Sequence, residues 1–240
     1  MTTANSAAKP ADLRFSQQLR EATWALHQGL DPTAPENAPA KQTTKGLFDR
    51  LFDDSLSVAQ YAHWHSQQYF IYDALESISQ AWSDHAIVGQ FVFNELLREK
   101  ELASDLEFLL GDNWYELILP LPSTKQYVDR LNDVARHSSL AFVAHHYTRY
   151  LGDLSGGQAF KKAAQRNYQF EREGVSFYHF DDIASPKEFK EQYRRLLDQA
   201  GWSEGERQRI IDEVVHAYHL NGELLTELAQ QMESEEGHEH

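Results

Sequence analysis

The 240-residue chain has no cysteine. Disulfides, thiolate metal sites and cysteine nucleophiles are therefore excluded, and a reducing, cytoplasmic setting suits it. No run of about 18 uncharged apolar residues occurs, so no membrane anchor is expected. The start, MTTANSAAKPADLRF, lacks the apolar core of a signal peptide. Positive charge is scarce as well: 22 Lys and Arg stand against 37 Asp and Glu, a net charge of −15. That balance excludes general affinity for nucleic acid or anionic membrane, so any basic patch must be local. Alternating strand patterns and fixed-period repeats are also missing. What is present, 41% hydrophobic and 25% charged residues, is the make-up of one domain with a sizeable core.

Apolar residues recur at intervals of three and four. Phe15, Leu19, Ala22, Leu26 and Leu30 form one stripe, with Arg20, Glu21 and Gln28 off it, and this helix should end near Asp31-Pro32. Residues 31–46, DPTAPENAPAKQTTKG, read as a Pro-rich loop of a length unusual in compact domains, an insertion or a lid. A helix is expected over Ser57 to Trp82, where Tyr61, Trp64, Tyr69 and Tyr72 fall on or beside one face and are crowded enough to line a cavity for a flat ligand. Further helices are expected from about Ile87 to Leu110, closed by Gly111, and from an N-cap at Ser123 or Thr124 through Arg136. Others should start at Ser139, at Pro186 and, for the last, at Ser203 to about Met232. The fold class is therefore all-α, a single-domain helical bundle over 13–232 with a flexible N-terminus at 1–12 and an acidic flexible tail at 233–240.

RYLGDLSGGQAFKK, residues 149–162, places Gly152, Gly156 and Gly157 inside such a helix. A phosphate loop needs a preceding strand and a Gly-Lys-Ser/Thr ending, and neither is there. A membrane dimer face is excluded by Arg149, Asp153 and Lys161. Two readings stay open: a hinge between two helices, or a face stripped of side chains so that the backbone can approach something flat. Gly152 and Gly156, four apart, share one face, and each interior glycine costs about 0.5–1 kcal/mol relative to alanine. Asp153 is a lone acid in a stretch otherwise holding Arg149, Lys161, Lys162 and Arg166, and a carboxylate there could orient water. Haem is the obvious flat ligand of an all-α domain, and it calls for an axial histidine. Of twelve histidines, His27 stands out beside the first helix's apolar stripe. Glu213 and His216 form a Glu-x-x-His motif, but a di-iron site needs two such copies and there is one.

VAHHYTRYLGDLSGGQ, 143–158, closely resembles the distal-helix signature of haem oxygenases. LREATWALH ending at His27, FYHFDDIASPKEFKEQYRRLL from 177 and AYHLNGELLTEL from 217 resemble the same family in the same order. The FYHF version is more similar to bacterial, haem-iron-acquiring members. The resemblance implies that haem b is both substrate and cofactor, opened at a meso carbon to biliverdin, carbon monoxide and ferrous iron with O2. It implies His27 as the iron ligand, Gly152 and Gly156 over the distal face, and Asp153 acting through ordered water. Tyr72, Arg149 and Asn221 match positions supporting that water network. Arg20, Tyr147, Lys190 and Arg194 match the partners of the haem propionates. Trp24 departs from mammalian relatives, which carry a lysine there, and the 31–46 loop is longer than usual for the family. Electrons must come from a separate ferredoxin, flavodoxin or NAD(P)H-dependent reductase, for which Lys161, Lys162 and Arg166 offer a basic docking strip. The alternative is a haem carrier or store with the same pocket and no turnover, against which Asp153 argues, since a carrier gains nothing from a proton route.

Overall fold

A computed structural model describes residues 14–30 and 46–236, except the side chains of 25, 27–30 and 236. The described residues form nine α-helices with short 3₁₀ turns and no strand. They are α1 (Phe15–Leu30), α2 (Leu47–Phe52), α3 (Val58–Trp82), α4 (Glu99–Leu110), α5 (Trp114–Leu117), α6 (Pro122–Arg130), α7 (Ser139–Tyr168), α8 (Pro186–Gln199) and α9 (Glu204–Glu236). The all-α expectation holds. The Pro-rich loop falls outside the described residues, apart from Gly46 at its end.

Local chemistry sets most helix starts. Ser57 accepts from Gln60 N at 3.2 Å while the Gln60 side chain accepts from Ser57 N, a reciprocal capping box opening α3. Ser203 and Glu206 repeat it at the start of α9. Ser138 and Ser185 cap α7 and α8, with Pro186 in the first turn of α8. Helices α7 and α9, the two longest, pack extensively along each other, and α1, α2, α3 and α6 close around them. Leu19, Ile71, Leu75, Phe142, Val214 and Leu224 are among the side chains buried at their junction. The glycines do not interrupt α7, so the hinge reading fails: the helix runs unbroken for 30 residues.

Four boundaries differ from expectation, the first three for a long-range reason. The helix expected from Ile87 is instead two 3₁₀ turns, Val88–Phe91 and Asn94–Leu96, before α4. Gly89 lies so close to the preceding turn that a Cβ would stand 2.3 Å from the Ser83 carbonyl oxygen, and α4 is capped from outside by Glu76 of α3, which accepts from Arg98 N and Glu99 N. Helix α6 starts at Pro122, not after Ser123 or Thr124. The Thr124 hydroxyl is committed to Gln67 at 2.7 Å and Ser123 N to Glu227 at 2.9 Å. It also stops at Arg130 and continues as a π-helical turn, Leu131–Ala135, where Trp82 Nε1 donates to the Ala135 carbonyl. At the other end, α9 continues beyond Met232 through the acidic stretch to Glu236.

Candidate active site

A cavity of about 400 Å³ opens between α7, α9, α3 and α2. Its size falls in the range of small-molecule and cofactor sites. One wall is the bare face of α7. A Cβ built on Gly152 would meet nothing within 4 Å, and one on Gly156 only the Phe160 ring at 3.8 Å. Gly157 faces the other way: its Cβ would lie 3.1 Å from Cδ1 of Tyr178, so this glycine admits the Tyr178 ring against the helix. The three glycines therefore divide into two that empty the cavity and one that packs. Much of the remaining lining is apolar. Phe48 of α2 stacks on Phe160 at 4.5 Å and meets Trp64 of α3 edge-on at 5.7 Å, while Leu225 and Tyr218 of α9 complete it.

Polar groups converge on the α7 side. Asp153 lies in the cavity wall between the two bare glycines, and Tyr72 of α3 donates its hydroxyl to Asp153 Oδ2. Burial pushes the Asp153 carboxyl up to about 6, against the opposing pull of the Arg149 charge and the Tyr72 hydrogen bond. Arg149 is itself buried, and that disfavours its charge. The Tyr72, Tyr127 and Asp153 side chains around it outweigh the penalty and hold it cationic. One arm of its guanidinium donates to Asn221 Oδ1 of α9 at 2.6 Å, the other to Gln68 Oε1 of α3, and its plane lies 4.9 Å from the Tyr72 ring centre. Arg149, Gly152, Asp153, Gly156 and Asn221 thus line one cavity, and Tyr72 stands one layer behind, fully buried.

At the cavity rim, α1, α7 and α8 meet. Lys190 Nζ donates to Ser155 Oγ at 3.0 Å, and Ser155 lines the cavity. Burial and the neighbouring Arg194 lower the Lys190 ammonium's proton affinity. Burial raises the Tyr147 hydroxyl, whose nearest opposing charges are Arg194 and Arg20. All four residues expected at the propionates therefore share one neighbourhood. His27 lies on α1 a turn beyond the buried Thr23, and its side chain is outside the described residues. Trp24, on the same helix, is 55% exposed.

Some expectations are corrected. Of the four aromatics on α3, only Trp64 lines the cavity. Tyr61 is buried beneath it with its hydroxyl on the Gly174 carbonyl, and Tyr69, a step round the helix, packs edge-on against Trp114 at 4.9 Å. Arg166, the third member of the expected basic strip, donates to the Phe52 carbonyl at 2.9 Å and to Asn167, which holds its guanidinium in place. Glu213 is spent on structure: its two oxygens accept from Arg130, and one of them also pairs with His145 at 2.9 Å. The cavity also holds residues the sequence does not single out. Phe48 and Phe52 come from a helix no pattern announces, and Gln68 looks in sequence no different from its neighbour Gln67.

Comparison with known proteins bears directly on this geometry. A family model described as heme oxygenase matches residues 13–227. The chain is 39% identical over 217 residues to heme oxygenase 1 of Synechocystis sp., covering 90% of this chain and 85% of that one. It is 38% identical over 223 residues to heme oxygenase 1 of Bos taurus, covering 91% and 72%. Among solved structures, heme oxygenase-1 from Synechocystis sp. in complex with heme superposes with a TM-score of 0.82 at 33% identity, covering 94% of this chain and 96% of that one. The heme oxygenase of Leptospira interrogans gives 0.79 at 28% identity, covering 90% and 100%.

Proposed function

The chain belongs to the haem oxygenase family, and from that premise we propose how its residues divide the work of cleaving haem. The activity is that of an oxidoreductase that degrades haem to biliverdin, with carbon monoxide and ferrous iron released at the expense of O2 and external electrons. The residues present suit a flat macrocycle: one cavity combines a helix face without side chains at Gly152 and Gly156 with the apolar side chains of Phe48, Trp64 and Leu225. Bound there, haem supplies both the iron at which O2 is reduced and the ring carbon that is oxidised.

The observation that carries the reading is Asp153, an acid with a proton affinity near neutrality set between two bare glycines. Tyr72 holds its Oδ2, which leaves Oδ1 to hold water in the cavity and to exchange a proton with it at a pH where both forms are populated. Arg149, clamped by Asn221, keeps positive charge beside that carboxyl and prevents its affinity from rising further. The described cavity wall carries no histidine that would donate more forcefully. With haem seated against this face, the backbone at Gly152 and Gly156 would leave room above the iron for only a small diatomic ligand. His27 would hold the iron of haem b, and Arg20, Tyr147, Lys190 and Arg194 would bind its propionates. We take 13–232 as the working domain and the cytoplasm as its compartment. No described helix is long and apolar enough to cross a membrane.

Electrons come from a ferredoxin, flavodoxin or NAD(P)H-dependent reductase docked near Lys161 and Lys162. The test is a haemin titration of the native protein and of His27→Ala, followed by optical spectra and then by reductant with oxygen. A Soret band that is altered in His27→Ala, and a bilin band from the native protein, are expected. Persistent haem absorbance without bilin would assign the pocket to a carrier.

A further inference from the structure

Two adjacent glutamines on α3 meet opposite fates. Gln67 is saturated: its oxygen accepts from Leu121 N at 2.9 Å and Thr124 Oγ1 at 2.7 Å, and its amide donates to Ser66 Oγ at 3.0 Å and the Leu119 carbonyl at 3.2 Å. It ties the α5–α6 connection to α3. Gln68 is 1% exposed and lines the cavity, and its oxygen accepts from Arg149 Nη2 while its Nε2 has no partner among the described residues. Arginine can only donate, so this contact fixes which end of the Gln68 amide is the oxygen. A second donor in the same wall, Arg149 Nε, is likewise buried and unpartnered. Buried donors without acceptors are rare and costly, and two of them around one cavity point to an oxygen atom supplied by its contents.

Position adds to the case. Trp64, Gln68 and Tyr72 follow at intervals of four along α3, one turn apart on one face. The first walls the cavity, the second holds Arg149 and the third holds Asp153. We propose that Gln68 is a positioning residue of the distal side: its oxygen orients the Arg149 guanidinium beside Asp153, and its amide is reserved for an oxygen atom of water or of a diatomic ligand in the occupied cavity. The proposal rests on the haem oxygenase reading.

The experiment uses the haem-loaded protein with Gln68→Leu, which removes acceptor and donor, and Gln68→Glu, which keeps an acceptor and removes the donor. Haemin titration should reach the native end-point in both variants. Dissociation of O2 from the ferrous complex should quicken about three- to tenfold in both, the size of one neutral hydrogen bond. The C–O stretch of the ferrous carbonyl should move to higher wavenumber in both. Native O2 dissociation and a native stretch in Gln68→Leu would overturn the inference while leaving the family reading intact. A change in Gln68→Leu that Gln68→Glu does not share would overturn the role of the amide donor. Failure of the native protein to bind haemin would instead overturn the reading on which the proposal rests.

Discussion

On the carboxyl of Asp153 two demands conflict. A proton route needs an acid whose affinity lies near the working pH, and burial raises it to about 6 from an ordinary 3.8, in spite of the Arg149 charge and the Tyr72 hydrogen bond. A folded-state value above the unfolded one means that the group's favourable contribution to stability is complete below about 3.8 and is lost as pH rises through about 6. Asp153→Asn, which can still accept from Tyr72, should therefore melt above the native protein at pH 7.5, with the difference vanishing toward pH 4 in thermal denaturation. The same variant, like Asp153→Ala, should titrate with haemin normally and form no biliverdin, and native turnover should fall as pH drops below about 6. Normal biliverdin formation by either variant would remove Asp153 from the chemistry. At this scale the acid and its glycines were legible because the motif holds them within five residues. Gln68 was not, since nothing within α3 distinguishes it from Gln67 until Arg149, 81 positions away, is brought against it.

Helix α7 carries three glycines with two different physical roles, and alanine scanning should separate them. Gly152→Ala places a methyl in open space, so the haem-free protein should gain about 0.5–1 kcal/mol from reduced backbone entropy and better helix propensity. The methyl then occupies the cavity, so haemin affinity should fall in the same variant. Gly157→Ala meets the Tyr178 ring at 3.1 Å, and that ring is buried, so the stability gain should disappear. Urea denaturation without haem, paired with haemin titration, checks both signs. An equal stability gain at 152 and 157 would contradict the division. The neighbouring elements repeat the contrast between local and distant causes. Caps at Ser57, Ser138, Ser185 and Ser203 sit beside the helices they open, and the sequence placed those starts to within a residue, at Ser57, Ser139, Pro186 and Ser203. The start of α4 depends on Glu76, 22 residues upstream of Arg98, and α2 is too short for a helical period to reveal it.

The whole molecule is acidic, with a net charge of −15, so a cationic patch next to the cavity stands out electrostatically. Lys161 and Lys162 lie one turn beyond the glycines on α7, whereas Arg166 is tied to the Phe52 carbonyl. Charge reversal is therefore best confined to the two lysines. Lys161→Glu with Lys162→Glu should slow reduction by an acidic protein donor, more at low than at high ionic strength, and leave reduction by dithionite unchanged. Equal slowing with both reductants would place the effect in the haem site and not at a docking surface. By itself, the sequence determined the all-helical architecture, most helix starts and the bare, acid-bearing face of α7, because periodicity, capping and small side chains act over a few neighbouring residues. Tertiary structure alone decided that Tyr61 and Tyr69 leave the cavity to Trp64, that α2 walls it with Phe48 and Phe52, and that one of two adjacent glutamines faces it. Those outcomes depend on which distant side chain arrives to satisfy a buried polar group or fill a space, and no local pattern encodes that arrival.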